Sequence, residues 1–237
     1  MKFALIGHPV AGSLSPRLVA AAYDGRHTYD LLDFEHFEDA WKAFTEGYDG
    51  INVTAPFKQD AFARVDVLSP QARATGAVNL VTRSPRGFVG YNTDVDGVLM
   101  ALRETGLSFA DALVVGTGGA ARAAVHAAQL MGCHVTVTGR SVEKAAALGG
   151  RVVSLPQARL LRPDVVIYTL PGSAPVPEGL PLEDAVVLEA EYRIPQLADI
   201  PCRQYVSGRR WMLGQAYAGY SLFTGEEPSL EKMSKVL

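Results

Sequence analysis

Residues 112–121, ALVVGTGGAA, constrain this chain more than any other stretch. Ala112 to Val115 form a short apolar run that leads directly into Gly116, Gly118 and Gly119. The AARAAVHAAQLMG that follows is rich in alanine, favours helix and closes at Gly132. An apolar strand, a tight glycine turn and a helix, in that order, form the first unit of a dinucleotide-binding fold. Gly116 permits the turn, and Gly118 lets the backbone approach a pyrophosphate, whose charge the first helical N–H groups face. The spacing is G-x-G-G-x-A, so Ala121 takes the place of a third small residue that lets the helix lie close on its sheet. A glycine-rich turn in another kind of α/β sheet shares this local pattern, and the stretch alone leaves both readings open.

Elements of alternating type surround it. Lys2 to Ile6, Thr28 to Asp33 and Asp49 to Val53 read as strands, and helices are expected near Pro16 and over His36 to Thr45, where Phe37, Ala40, Trp41 and Phe44 recur at helical spacing. Pro56 opens a further helix with Lys58 in its first turn, the unfavourable end of the helix dipole for a cation. Another short helix is expected over Ser69 to Ala74. Val78 to Thr82 and Gly87 to Tyr91 form a hairpin around Ser84-Pro85-Arg86. Asn92-Thr93-Asp94 offers caps for a helix from about Val95 to Thr105. Beyond the glycine turn, strands are expected at His134 to Thr138, Val152 to Leu155, Asp164 to Thr169 and Ala185 to Glu189, with a short helix through SVEKAAAL. A final helix runs from Arg209 to Phe223, and the polar tail from Glu226 is expected to fray in part. Strands alternating with helices imply an α/β protein with largely parallel sheets.

Bulk properties narrow the functions. The length of 237 residues suits one large or two small domains. A net charge of -3 disfavours nucleic acid as a main partner, because phosphate-backbone binding wants a basic face. No apolar stretch approaches a membrane helix, and the MKFALIGHPVAG start reads as a strand rather than a leader. Cys133 and Cys202 are the only cysteines, which excludes a disulfide framework and makes the cytoplasm the expected setting. The five histidines are scattered, so no metal site is expected.

At the end of the second strand of the nucleotide unit, where a site for NAD places an acid on the ribose hydroxyls, stands Arg140. Ser141 adjoins it, and Lys144 lies four residues on, so that both cations can face one anion. A cation here favours a 2′-phosphate, hence NADP over NAD. The competing explanation is a solvated surface pair balanced by Glu143. In the first half of the chain, Ser13, Ser15, Asn52, Thr54, Lys58, Asn79, Asn92 and Asp94 fall at strand ends or in loops. Each alone has a structural explanation, as a turn closer or a cap. Together they suit a small oxygen-rich ligand.

GHPVAGSLSP at 7–16, NVTAPFK at 52–58, GAVN at 76–79, GYNTDVDG at 90–97, GTGGAARA at 116–123 and GRRWMLGQA at 208–216 occur in one order over nearly the full length. In these motifs the chain resembles shikimate dehydrogenase. The resemblance implies a two-lobed α/β fold. Residues 1–96 would form a substrate-binding domain with a mixed sheet, 97–207 a Rossmann-type NADP-binding domain, and 208–237 a helical segment packing back on the first. It implies reversible reduction of 3-dehydroshikimate to shikimate with NADPH, in aromatic amino-acid synthesis, by a monomer or homodimer. Lys58 and Asp94 would be the catalytic pair. Ser13 and Ser15 would hold the substrate carboxylate, and Thr54, Asn79 and Gln215 would bind the carboxylate or the ring hydroxyls, with Tyr192 nearby in the substrate site. Gly116, Thr117, Gly118, Gly119 and Ala120 would cradle the pyrophosphate, Arg140, Ser141 and Lys144 would receive the 2′-phosphate, and Thr169 would lie in the loop by the nicotinamide ribose.

The chain departs from the family pattern mostly on the cofactor side. N-R-T at the second strand end is Gly139-Arg140-Ser141 here. N-x-T-P-x-G after the fourth strand is Tyr168-Thr169-Leu170-Pro171-Gly172, Glu189 replaces an aspartate at the next strand end, and Trp211 takes a methionine position in the last helix. Two alternatives therefore stand beside the first reading. One is a dehydrogenase of quinate or another polyhydroxy cyclic acid with altered cofactor use; the other is a non-catalytic relative that binds small acids.

Overall fold

Two six-stranded sheets organise the chain. The computed structural model describes residues Met1–Leu237, which divide into one unit of Met1–Thr93 with Gln215–Leu237 and a second of Asp94–Gly214.

In the first unit, β1 (Lys2–Gly7), α1 (Ser15–Ala22), β2 (Thr28–Asp33), α2 (Phe37–Gly47), β3 (Gly50–Val53), α3 (Lys58–Arg64), β4 (Val67–Leu68), α4 (Pro70–Thr75), β5 (Leu80–Ser84) and β6 (Gly87–Tyr91) follow in order. The sheet order is β2-β1-β3-β5-β6-β4. β1 pairs parallel with β2 and β3, whereas β5 runs antiparallel to both β3 and β6, so the sheet is mixed. Every residue of β3 is buried, as a central strand covered on both faces requires. On one face Ala40, Trp41 and Phe44 of α2 pack with Ile6, Ile51, Val53 and Val81. α4 starts on the Ser69 side chain, which accepts from Ala72 N, and ends at Gly76 in the left-handed region.

The second unit comprises α5 (Asp94–Arg103), β7 (Asp111–Val115), α6 (Gly119–Leu130), β8 (His134–Thr138), α7 (Val142–Ala146), β9 (Arg151–Val153), α8 (Leu155–Ala158), β10 (Val165–Tyr168), β11 (Val186–Glu189) and β12 (Gln204–Val206). The order β12-β11-β10-β7-β8-β9 is parallel throughout. The strand period of two sorts their side chains into two cores. Ala112, Val114, Val165, Ile167, Val186 and Leu188 face α5 and α6, while Leu113, Val115, Val166, Tyr168 and Val187 face the other side. Ala121, Ala123, Ala124, Ala127 and Ala128 are all fully buried, so α6 offers a nearly smooth face to the sheet.

Several expectations are corrected. Leu155 does not end a strand: Ser154 and Gln157 form a capping box that starts α8 at that point, with Pro156 in its first turn. β4 and β12, which no periodicity announced, are two and three residues long and exist through their ladders to β6 and β11. Asn92 spends its side chain on Thr75 Oγ1 and Ala77 O, and Thr93 spends its own on Asn79, rather than on a helix start.

The chain ends in α9 (Gly208–Thr224) and α10 (Leu230–Ser234). Phe223 of α9 stacks on Phe3 at 4.5 Å, over Gly50, where a Cβ would stand 2.8 Å from the Phe223 ring. The tail does not fray as expected. Ser229 N donates to Ala22 O, Lys232 pairs with Asp24 at 2.6 Å, Arg26 pairs with Glu226 at 2.7 Å, and Met233 is fully buried. The exposed pairs contribute little, and burial of Met233 carries the attachment. Met233→Ala is expected to lower unfolding free energy by about 2 kcal/mol, read from urea denaturation. No helix is long and apolar enough to cross a membrane.

Candidate active site

Parallel pairing brings the ends of β7, β8, β10 and β11 to one edge of the second sheet, because Val115 stands opposite both Thr138 and Tyr168, and Tyr168 opposite Glu189. The glycine turn, Gly139–Lys144, Thr169–Gly172 and the segment holding Tyr192 all leave from that edge. The strand order reverses at β7, the place where open α/β sheets bind ligands. Gly116 has φ 123°, and a Cβ there would collide with Thr169 Oγ1, which itself donates to Val115 O at 2.9 Å. Gly118 caps α6 from extended backbone, and a Cβ there would meet nothing within 4 Å. The turn is thus open at Gly118, directly before the first N–H groups of α6, as a pyrophosphate site requires.

The cations are arranged differently from the expectation. Arg140 precedes the N-cap of α7, so it and Lys144 do not form a helical i,i+4 pair; both are exposed at the same strand end. Ser141 is the cap itself and accepts from Lys144 N at 3.3 Å, which leaves its O–H free to donate.

Two departures from the family pattern are absorbed by the interior. Trp211 is buried in the core that contains α5 and α6. Tyr168 is fully buried in the opposite core, and its hydroxyl donates to Gln196 Oε1 at 3.3 Å. Burial, with Glu189 nearby, pushes the Tyr168 phenol up to about 12, so it remains a donor. Tyr192 lies half-buried past β11, in a segment whose neighbour Glu191 accepts from Gly172 N and Arg193 N.

In the first unit the ends of β1 and β3, the start of β5 and the end of β6 share one edge. Buried Asn79 is the hub there. Its Nδ2 donates to Thr93 Oγ1 at 3.1 Å and to Gln215 Oε1 at 3.3 Å, while its Oδ1 accepts from Thr93 N at 2.8 Å. Asn52 Nδ2 donates to Asn79 O, and Tyr29 Oη donates to Asn52 Oδ1 at 2.7 Å. Ser13 Oγ donates to Ser15 Oγ at 3.2 Å, and Tyr220 Oη donates to the Ser15 carbonyl. Burial holds the Tyr29 phenol well above its ordinary range. Thr54 is half-buried directly after β3. The structure therefore gathers Ser13 with Ser15, and Asn79 with Asn52 and Gln215, and adds Tyr29, Thr93 and Tyr220.

Lys58 is the first residue of α3 and half-buried; its carbonyl accepts from Val78 N at 2.9 Å, which ties the helix start to the segment before Asn79. Asp94 is the buried first residue of α5, one position after Thr93.

Known proteins share this fold over the full length of the chain. The family described as "Shikimate dehydrogenase substrate binding domain" matches residues 5–81. An NADP(+) shikimate dehydrogenase of Thermus thermophilus is 36% identical over 81% of this chain and 79% of its own length. That of Bacillus licheniformis is 34% identical over 99% and 95%. Among solved structures, a shikimate 5-dehydrogenase from Thermus thermophilus, in complex with NADP(H) and shikimate, superposes with a TM-score of 0.87 at 31% identity, covering 100% of this chain and 98% of that one. The chain belongs to the shikimate dehydrogenase family.

Proposed function

We propose that this chain interconverts 3-dehydroshikimate and shikimate with NADP(H). The observation that carries the proposal is the full-length likeness to a relative solved with NADP(H) and shikimate, combined with a β7 turn whose open side suits a pyrophosphate. NADPH, when bound, supplies the hydride.

The side chains divide the remaining work. Negative charge develops on the carbonyl oxygen during reduction, and the Lys58 ammonium stabilises it and donates the proton. The Asp94 carboxylate accepts a hydrogen bond from a neighbouring ring hydroxyl and keeps the ammonium in place. Ser13 and Ser15 donate to the substrate carboxylate. Asn79, already held by Thr93, presents its amide with Gln215, Thr54 and Tyr192 to the ring hydroxyls. Gly116 to Ala120 hold the pyrophosphate, Arg140, Ser141 and Lys144 take the 2′-phosphate, and Thr169 flanks the nicotinamide ribose. Burial raises the thiol pKa of both Cys133 and Cys202, which suits unreactive cysteines in the cytoplasm.

The purified protein, offered shikimate or quinate with NADP+ or NAD+, is expected to reduce NADP+ with shikimate fastest, followed by reduced-nicotinamide absorbance. Faster turnover of quinate would reassign the substrate, and binding of shikimate without turnover would make the chain a binding protein.

A further inference from the structure

The turns after β7 and β8 are shaped to each other. Gly116 N donates to Thr138 O at 2.9 Å, which fixes one turn against the other. A Cβ built on Gly139 would stand 2.8 Å from Thr117 Cγ2, well inside the roughly 3.5–4.0 Å at which carbons rest. Gly139 is not among the glycines with positive φ, so its backbone does not call for glycine. What calls for it is the Thr117 methyl, which fills the volume that any side chain at 139 would enter. In the pattern this chain otherwise follows, that position carries an asparagine. A threonine in the first turn thus stands against a bare glycine at the second strand end. Thr117 is half-buried, and its hydroxyl bonds to nothing within the protein.

We infer that Thr117 is a specificity-determining residue for the adenosine end of the dinucleotide, its hydroxyl donating there beside Arg140, and that Gly139 is small in order to admit it. The inference rests on the assignment of this edge to NADP(H). A hydroxyl beside a guanidinium adds a directed hydrogen bond to a phosphate oxygen, where Arg140 alone adds mainly charge. The 2′-phosphate is the anion that distinguishes NADP from NAD, so loss of the hydroxyl acts more on the former.

The test is calorimetric binding of NADP+, NAD+ and adenosine 2′,5′-bisphosphate to the full chain, without turnover. Thr117→Val keeps the methyl and removes the hydroxyl. It is expected to raise the NADP+ and bisphosphate dissociation constants about tenfold, and that of NAD+ less than threefold. Gly139→Asn is expected to weaken all three ligands. Thr117→Ala combined with Gly139→Asn should bind NADP+ more tightly than Gly139→Asn alone, the non-additivity that steric coupling requires. Unchanged NADP+ binding by Thr117→Val overturns the role of the hydroxyl, even if Gly139→Asn fails to fold. Strict additivity in the cycle overturns the steric coupling between the two turns. A wild-type protein that binds none of the three ligands overturns instead the assignment of the edge, a different result from either.

Discussion

Lys58→Ala is expected to lower kcat for shikimate oxidation about a thousandfold, equivalent to about 4 kcal/mol of transition-state stabilisation. The size follows from the two tasks given to one ammonium, charge stabilisation and proton transfer, neither of which water at the same place performs as well. The fold should survive. Lys58 is half-buried at a helix start, and the contact of its main chain with Val78 N is independent of the side chain. KM for shikimate should change less than tenfold, because Ser13, Ser15, Asn79 and Gln215 remain. Asp94→Ala is expected to cost about a hundredfold, and the double variant far less than the product of the two, since groups that act as a pair cannot both be lost twice. Lys58→Ala enzyme that keeps a tenth of the wild-type kcat, with an unchanged unfolding midpoint, would remove Lys58 from the chemistry.

The strands and the glycine turn were legible because their signals are local. Ala112 to Val115 are apolar on both faces, as a central parallel strand must be, and the observed β7 extends that run by one residue, to Asp111. β2 and β8 span the residues expected of them, Thr28–Asp33 and His134–Thr138. Signals were missing where tertiary contact supplies the stability. Met233 in a polar tail does not announce that it will be fully buried against the rest of its unit. Gln204–Val206 becomes a strand only because β11 offers an edge. In the site, the serines, Asn79 and Lys58 stand in recognisable motifs. Tyr220 instead reads as part of an apolar helical stripe, and its hydroxyl finds Ser15 O across 205 positions of sequence. Spacing placed Arg140 and Lys144 on one helical face, whereas the Ser141 cap starts the helix after Arg140. Tyr168 and Trp211, bulky where the family has smaller residues, pack inside the two cores of the second unit.

The second large effect is expected at Glu189, whose carboxyl group is fully buried at the end of β11. Its Oε1 accepts from Gln196 N at 2.7 Å, and its Oε2 accepts from Leu197 N at 3.2 Å and Tyr205 Oη at 2.8 Å. Only donors face it. Burial, together with this carboxyl, raises the Tyr205 phenol, so the tyrosine stays protonated and keeps donating. Gln196 passes the connection onward, with its Nε2 on Ala174 O at 2.8 Å, so one buried group holds both segments that leave β10 and β11. Glu189→Gln has nearly the same shape, but it turns one acceptor into an NH2 that must point at N–H or O–H donors. Whichever way the amide rotates, at least one buried donor loses its partner, at a cost of about 2–3 kcal/mol in unfolding free energy. Urea denaturation measures this, and limited proteolysis between residues 170 and 200 should accelerate alongside it. Tyr205→Phe combined with Glu189→Gln should not recover the loss, because either orientation of the amide still leaves one backbone N–H, of Gln196 or of Leu197, without an acceptor. A Glu189→Gln variant within about 0.5 kcal/mol of wild type, a margin below the usual cost of one orphaned buried donor, would mean that the interior rearranges to supply the missing acceptor.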